Sequence, residues 1–184
     1  MKTIKIIGKR NLDKLHDIKT PERSISKNWQ LDDSYFTHSR QICLINNLYL
    51  EDNVNTKYLK GNTDPEISAK TIVKREIGNK INGYKNQDVR NSILDVLNII
   101  SLEQTIEKLT VSKLLCYYCK EKCLLLYKDT LSKKQWTLDR IVNDKGHNYD
   151  NVVICCLECN VKRGDMDSER FKHGKQLKFV KKLF

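Results

Sequence analysis

Two cysteine motifs constrain the fold of this chain more than any other feature. The 184-residue sequence contains seven cysteines, and four of them form two C-x-x-C motifs separated by 36 residues. The four are Cys116, Cys119, Cys156 and Cys159. A C-x-x-C turn presents two sulfur ligands on one side of a tight loop, which fits one edge of a zinc tetrahedron with bonds of about 2.3 Å. The pair of motifs therefore predicts a closed, structural zinc site with four cysteine ligands and a folded insert between its halves.

Two other interpretations of the cysteines are a thioredoxin-like redox pair and buried thiols without a metal. A redox C-x-x-C stands before a helix in a βαβ unit, and neither motif has that setting. Cys123 and Cys155 lie in the same region, but their spacing fits a metal site less well. Cys43 stands apart, and we interpret it as a small buried hydrophobic residue.

The chain is strongly basic, with a formal net charge of +11. Residues 1–110 contain 18 Lys and Arg against 14 Asp and Glu, whereas residues 111–184 contain 16 against 9. This charge suits a polyanion, either nucleic acid or an anionic membrane surface, although it could also serve solubility alone. No apolar run approaches the ~20 residues of a membrane span, and no stretch fits a signal peptide. We therefore expect an intracellular protein in a reducing compartment that does not span a membrane.

Apolar periodicity and turn signals predict an α+β fold in two parts. Residues 1–110 are predicted to form a mainly helical region of unknown role, with helices over residues 64–83, 86–100 and 101–109. The first of these helices should end at Gly83, and Ser101 with Gln104 forms a capping-box pattern at the start of the third. Residues 111–184 are predicted to hold short strands within residues 123–127, 135–142 and 152–155. A helix over residues 157–164 and a final basic helix capped by Ser168 should follow.

The insert and the second cysteine motif carry further residues in a defined order. Asp139-Arg140 lies at the end of a short predicted strand, Asn151-Val-Val begins another, and Asn160-Val-Lys-Arg163-Gly follows the last cysteine. With the two cysteine motifs, this order resembles the HNH endonuclease family over about residues 116–166, and phage and large-DNA-virus members are the most similar. The resemblance implies a C-terminal ββα-metal module, stabilised by the zinc ion of the four cysteines, that hydrolyses DNA phosphodiester bonds. It also implies a viral source and action inside a host cell or virion.

The family pattern implies specific roles for three residues. Asp139 and Asn160 would bind a catalytic Mg²⁺ or Mn²⁺, since carboxylate and amide oxygens are the hard ligands that these ions prefer. Folding the strand hairpin onto the following helix would bring the two side chains together. Asn151 would be the central asparagine that orients the catalytic base and braces the hairpin loop. Each of these residues also has a plainer interpretation. Asp139 could be a turn acid or the partner of Arg140, Asn160 a surface amide of a helix, and Asn151 part of an Asx turn.

The chain departs from the family pattern at the position after Asp139. The family usually has a histidine there as general base, whereas this chain has Arg140, which cannot accept a proton. Three explanations stay open. His147 could replace the base from the hairpin loop; bulk water or a metal-bound hydroxide could suffice while Arg140 binds phosphate; or the protein could bind without cutting. The plainer interpretation of His147 is a solvent-exposed loop residue.

The resemblance further implies that the hairpin and helix contact DNA, most simply double-stranded DNA. Six basic residues are candidates for these contacts: Arg140, Lys162, Arg163, Lys172, Lys175 and Lys178. A solvated helix face explains any single lysine equally well. A catalytically inactive, zinc-containing protein that binds or packages nucleic acid is the main alternative function, and a protein-interaction scaffold is a third.

Overall fold

The described part of the fold consists of α-helices of 7 to 26 residues and one small sheet. The computed structural model describes Trp29 and residues 31–53 and 65–180. Its α-helices and β-strands, labelled in chain order, are α1 (His38–Asn53), α2 (Pro65–Arg90), α3 (Leu102–Val111), β1 (Trp136–Arg140), β2 (Val152–Cys156), α4 (Leu157–Arg163) and α5 (Ser168–Val180). Two 3-10 helices, Asp33–Phe36 and Tyr149–Asn151, precede α1 and β2. The described part of the chain is therefore mixed α+β, which confirms the predicted class.

β1 and β2 form a two-stranded antiparallel sheet in which Trp136 pairs with Cys156 and Arg140 pairs with Val152. Successive side chains of a strand point to opposite faces. Trp136 packs into the core, whereas Thr137 and Asp139 on the other face bond to side chains of α4. α4 follows β2 directly, so the hairpin and this helix pack as one unit.

α2 is longer than the sequence predicts. The sequence predicts a helix that ends at Gly83 and another over residues 86–100, whereas α2 runs through Gly83 as one helix of 26 residues. A glycine inside a helix costs only about 1 kcal/mol, so tertiary contacts can outweigh it. Tyr84 and Asp88, beyond the glycine, make such contacts with the hairpin. The predicted second helix is therefore wrong beyond Arg90, where turns replace it.

Three other local predictions have different outcomes. The capping box at the start of α3 is confirmed by reciprocal hydrogen bonds between Ser101 and Gln104. α5 begins at Ser168 as predicted, but the carboxylate that accepts a backbone hydrogen bond in its first turn belongs to Asp167. The predicted strand over residues 123–127 is wrong, since an isolated β-bridge takes its place.

One hydrophobic core joins the helices to the hairpin. Its buried apolar side chains form a single cluster that extends from Trp29 to Phe171. The buried amide of Gln41 adds a polar tie, because it bonds to the main chain of residues 125–126. The predicted boundary between residues 110 and 111 falls in the last turn of α3, and the core continues across it. Among the described helices, none has both the length and the apolar character needed to cross a bilayer.

Candidate functional site

The two C-x-x-C motifs come together beside the start of α4. The sulfur atoms of Cys116, Cys119, Cys156 and Cys159 all lie within 4.8 Å of one another. Those of Cys119 and Cys156 are 3.9 Å apart. A tetrahedral site with metal–sulfur bonds of about 2.3 Å has sulfur–sulfur edges of about 3.8 Å. The four sulfurs could therefore hold one zinc-like metal ion, and the predicted grouping of these cysteines is confirmed.

The close approach of the four sulfurs limits how many of them can be ionised at once. Hydrogen bonds from Cys119 and the neighbouring thiols lower the pKa of Cys116 well below its usual value. The pKa of Cys159 is raised, because its sulfur lies beside that of Cys116. Four thiolates at these distances repel one another, so a bound cation is required before all of them can ionise.

The other described cysteines lie outside the sulfur cluster. Cys123 and Cys155 are buried in the core, and burial raises the pKa of Cys155. Cys43 is exposed, so the prediction that it is buried is wrong. The reason is its position on α1, whose buried face is formed by residues such as Leu44 and Leu48.

A small polar pocket lies where the hairpin, α4 and the end of α2 meet. Its volume is about 170 Å³. Five of the predicted site residues line it: Asp139, Arg140, His147, Asn160 and Arg163. The acid at the end of β1 and the amide on α4 thus face the same space, together with the histidine of the loop between the strands.

The carboxylate of Asp139 is buried and is held by two neighbours. Arg163 donates to both of its oxygens, from Nε to Oδ2 at 2.6 Å and from Nη2 to Oδ1 at 3.0 Å. The hydroxyl of Tyr118 donates to Oδ2 at 2.6 Å. Each carboxylate oxygen has two acceptor positions, so Oδ1 keeps one for a further partner. The ion-pair partner of Asp139 is Arg163, and not the adjacent Arg140 that the plainer interpretation named.

Asn160 lies on the side of α4 that covers β1, and it is half-buried. Its Nδ2 donates to the hydroxyl of Thr137 at 3.1 Å and to the carbonyl of Leu138 at 3.3 Å. A carbonyl oxygen can only accept, so these bonds orient the amide with its NH₂ group toward the strand. Within the part of the chain that the structure describes, Oδ1 then has no hydrogen-bond partner. Asn160 is therefore an oriented pocket residue rather than an ordinary surface amide.

Asn151 holds the loop between the strands from a buried position. Its Nδ2 donates to the carbonyls of Val142 and Gly146, at 3.0 Å each. Its Oδ1 accepts from the backbone N–H of Val142, also at 3.0 Å. These bonds fix the backbone of the loop that carries His147.

His147 is buried, so the structure corrects the interpretation of this residue as a solvent-exposed loop histidine. Only 3% of its side chain is exposed. Its Nδ1 lies 2.7 Å from Oδ1 of Asp88, and its backbone N–H donates to Oδ2 of the same residue at 2.7 Å. The ring of Tyr84 stacks on the imidazole, with 4.6 Å between the centroids. Burial lowers the pKa of His147 below its usual value near 6.5, and the hydrogen bond with Asp88 offsets part of this effect.

Arg163 is the predicted nucleic-acid contact whose surroundings disagree most with that role. Only 4% of it is exposed. Besides its ion pair with Asp139, it donates to the carbonyls of Arg140 and Met166 and to the side chain of Asn143. A guanidinium in this position is occupied on every side, so Arg163 holds the pocket together and is not placed to contact a phosphate at the surface.

The remaining residues predicted to contact DNA differ in their burial and in the ion pairs and hydrogen bonds that their side chains already make. Arg140 is half-buried and lines the pocket, and its Nη1 lies 3.5 Å from a loop carbonyl, which is a weak contact. Lys162 is exposed and pairs with Glu158. Lys172 contacts Glu169 and a tyrosine hydroxyl, which leaves its charge largely neutralised. Lys175 is half-buried, and its ammonium lies over the aromatic ring of Phe171. The side chain of Lys178 lies outside the described residues.

Three residues that contact side chains of the pocket were not predicted from the sequence: Tyr84, Asp88 and Tyr118. Tyr84 and Asp88 stand four residues apart, so they share one face of α2. This four-residue spacing indicates a shared helix face but not its partner, because both residues contact His147, which lies far away in the sequence. Tyr118 lies inside the first cysteine motif, where packing around the sulfurs is the simpler expectation.

The described residues thus combine a sulfur cluster with a polar pocket, and Cys156 of the cluster and Asp139 of the pocket lie toward opposite ends of the same two-stranded ladder. No protein-family model, no curated protein and no solved structure matches the chain.

Proposed function

We propose that the protein is an HNH-type endonuclease that hydrolyses phosphodiester bonds of double-stranded DNA with a divalent metal ion. The observation that carries the proposal is that Asp139, Arg140, His147 and Asn160 all line the same pocket. An acid, an amide oxygen, a permanent cation and a neutral imidazole are groups that metal-assisted hydrolysis of a phosphodiester can use. The order of the sequence motifs supports the same function, as does the net charge of +11.

In this proposal, the sulfur cluster binds a structural zinc ion. Four sulfur ligands suit Zn²⁺, and a closed site leaves no position for a substrate. Cys156 ends β2 and Cys159 lies in the first turn of α4, whereas Cys116 and Cys119 belong to the turn after α3. The ion would therefore connect three segments and hold the hairpin against α4.

The catalytic ion of the proposal is Mg²⁺ or Mn²⁺, with Asp139 and Asn160 as its protein ligands. Oxygen atoms are the ligands that these ions prefer. Asp139 Oδ1 keeps one acceptor position, and Asn160 Oδ1 has no partner among the described residues. When bound there, the ion would stabilise the negative charge that develops on the scissile phosphate and on its leaving oxygen.

His147 is the general base of the proposal. Its Nε2 accepts a proton from the attacking water, and the water oxygen forms a bond to phosphorus. The bond from phosphorus to the sugar oxygen breaks, and that oxygen takes a proton from solvent. Because burial lowers the pKa of His147, the imidazole is neutral near pH 7 and ready to accept. Arg140, which stays protonated, binds the non-bridging oxygens of the phosphate at the pocket wall.

One observation favours a second function, a zinc-containing protein that binds or packages nucleic acid without cutting it. The guanidinium of Arg163 already supplies a cation to both oxygens of Asp139. If that ion pair excludes a divalent metal, the pocket lacks its central charge and hydrolysis does not occur. Salt-sensitive DNA binding without cleavage is the signature of this second function.

A plasmid-nicking assay separates the two functions. The wild-type protein should nick supercoiled plasmid when Mg²⁺ or Mn²⁺ is added, and should leave it intact without added metal. Asp139→Asn and Asn160→Ala should each lower the rate at least ~100-fold while the zinc content stays the same. Asp150→Asn, which removes an exposed acid outside the pocket, is the matched control and should nick like the wild type. Absence of nicking with either metal, or unchanged nicking by both variants, would overturn the proposal.

A further inference from the structure

The residue that holds His147 belongs to α2, outside the segment that resembles the nuclease family. The carboxylate of Asp88 is fully buried, with no exposed side-chain surface. Both of its oxygens are used by one histidine: Oδ2 accepts from the backbone N–H of His147, and Oδ1 lies 2.7 Å from Nδ1. The two residues are 59 positions apart in the sequence. A buried acid with both oxygens committed to one residue is a specific contact and not a chance surface pair.

The surrounding backbone is adapted to this contact. Gly146 passes so close that a Cβ there would lie 2.7 Å from the carbonyl oxygen of Ile93 and 3.0 Å from Oδ2 of Asp88. The carbonyl of His147 accepts from the backbone N–H of Ile100 at 2.9 Å. With the Tyr84 ring stacked on one side, the imidazole is held by α2 and by the chain segment that follows it.

We propose that Asp88 is a positioning residue that sets the tautomer of His147 and turns its Nε2 toward the pocket. This inference rests on the proposed nuclease function. A carboxylate can only accept hydrogen bonds, so the proton of the neutral imidazole lies on Nδ1. Nε2 then carries the lone pair, and within the part of the chain that the structure describes no other group bonds to it. Asp88 also stabilises the imidazolium that forms once Nε2 has taken a proton from water.

The variant Asp88→Asn tests this directly, because the structure determines how the new amide must orient. The backbone N–H of His147 is a fixed donor, so the amide oxygen has to take the position of Oδ2. The NH₂ group then faces Nδ1 and donates to it, which moves the imidazole proton to Nε2. A base with its proton on Nε2 cannot accept another from water. Cleavage should therefore fall on the order of 10²–10⁴-fold, while the zinc content is unchanged.

Nitrogen NMR of the imidazole supplies a readout that a merely structural role would not move. In the wild type, we expect Nδ1 of His147 to carry the proton and Nε2 to be unprotonated. In Asp88→Asn, the two nitrogens should exchange these states. Asp150→Asn, which removes an acid outside the contact, should leave both the tautomer and the cleavage rate as in the wild type.

Each outcome bears on the proposal. If the wild type cleaves but Asp88→Asn cleaves equally well or keeps the proton on Nδ1, the role of Asp88 is refuted while the nuclease function stands. If the wild type does not cleave with Mg²⁺ or Mn²⁺, the nuclease function fails and the positioning role fails with it. If Asp88→Asn does not fold, the wild-type spectrum alone decides, since a proton found on Nε2 of His147 overturns the inference without any variant.

Discussion

Replacing Arg163 with methionine tests whether the stability of the fold depends on the ion pair between this arginine and Asp139. Arg163 and Asp139 are buried side by side, with 3% and 5% of their side chains exposed. Methionine has a similar length and apolar stem, so the variant removes the charge and the donors while leaving little empty space. Asp139 would keep only the hydroxyl of Tyr118 as a partner.

The expected loss follows from these contacts. Removing one member of a buried ion pair costs about 3–5 kcal/mol, because the other charge stays buried and unpaired. The carbonyls of Arg140 and Met166 also lose the donor that Arg163 supplies, which adds about 1 kcal/mol. The free energy of unfolding should therefore fall by roughly 4–6 kcal/mol, a large share of the ~5–15 kcal/mol typical of a domain.

Urea denaturation at pH 7 in the presence of zinc measures this loss. Arg170→Met, which changes an exposed arginine on α5, is the matched control and should alter stability by no more than about 0.5 kcal/mol. Under the proposed function, added Mg²⁺ should restore part of the stability of Arg163→Met, since it would neutralise Asp139 in the guanidinium's place. A loss below about 1 kcal/mol for Arg163→Met would refute the reasoning that a buried, charged Asp139 depends on this partner.

Three further predictions concern the metal cluster, the loop and the base. The purified protein should contain one zinc ion per chain. Cys119→Ser should lose this zinc and unfold at a lower temperature, whereas the control Cys43→Ser should retain it. Tight zinc binding by Cys119→Ser would contradict the assignment of the cluster. Gly146→Ala should destabilise the fold by about 1–3 kcal/mol, because its Cβ would meet the Ile93 carbonyl, whereas Gly174→Ala, with open space around it, should be neutral or stabilising in urea titrations. Under the proposed function, the cleavage rate should rise with pH as His147 loses its proton and should reach its plateau by about pH 7. The reason is that burial and the charge of Arg140 hold the pKa of His147 below 6.5. A pH–rate profile whose acid limb is centred above pH 7 would indicate another base.

Residue spacing made the sulfur cluster the most predictable part of the molecule. Two C-x-x-C turns have few chemical uses, so the grouping of Cys116, Cys119, Cys156 and Cys159 follows from the sequence and the structure confirms it. The capping box at Ser101 is predictable for the same reason, because all of its bonds lie within four residues.

Long-range contacts were not predictable in this way. Gly83 has the local signature of a helix end, but the contacts of Tyr84 and Asp88 with the hairpin keep α2 helical beyond it. The sequence predicts that Arg163, on a short helix, contacts DNA, whereas in the structure its partner is Asp139, on the strand that packs against that helix. Such pairings depend on which elements pack together, and one sequence does not show that.

The central claim is that Asp139 and Asn160 bind a divalent metal ion beside His147. A crystal grown with Mn²⁺ and measured near the manganese absorption edge tests this most directly. We predict an anomalous peak in the pocket, between Oδ1 of Asp139 and Oδ1 of Asn160, that is separate from the zinc in the sulfur cluster. A map with the zinc peak and no manganese in the pocket, with the guanidinium of Arg163 still paired to the carboxylate, would contradict the claim.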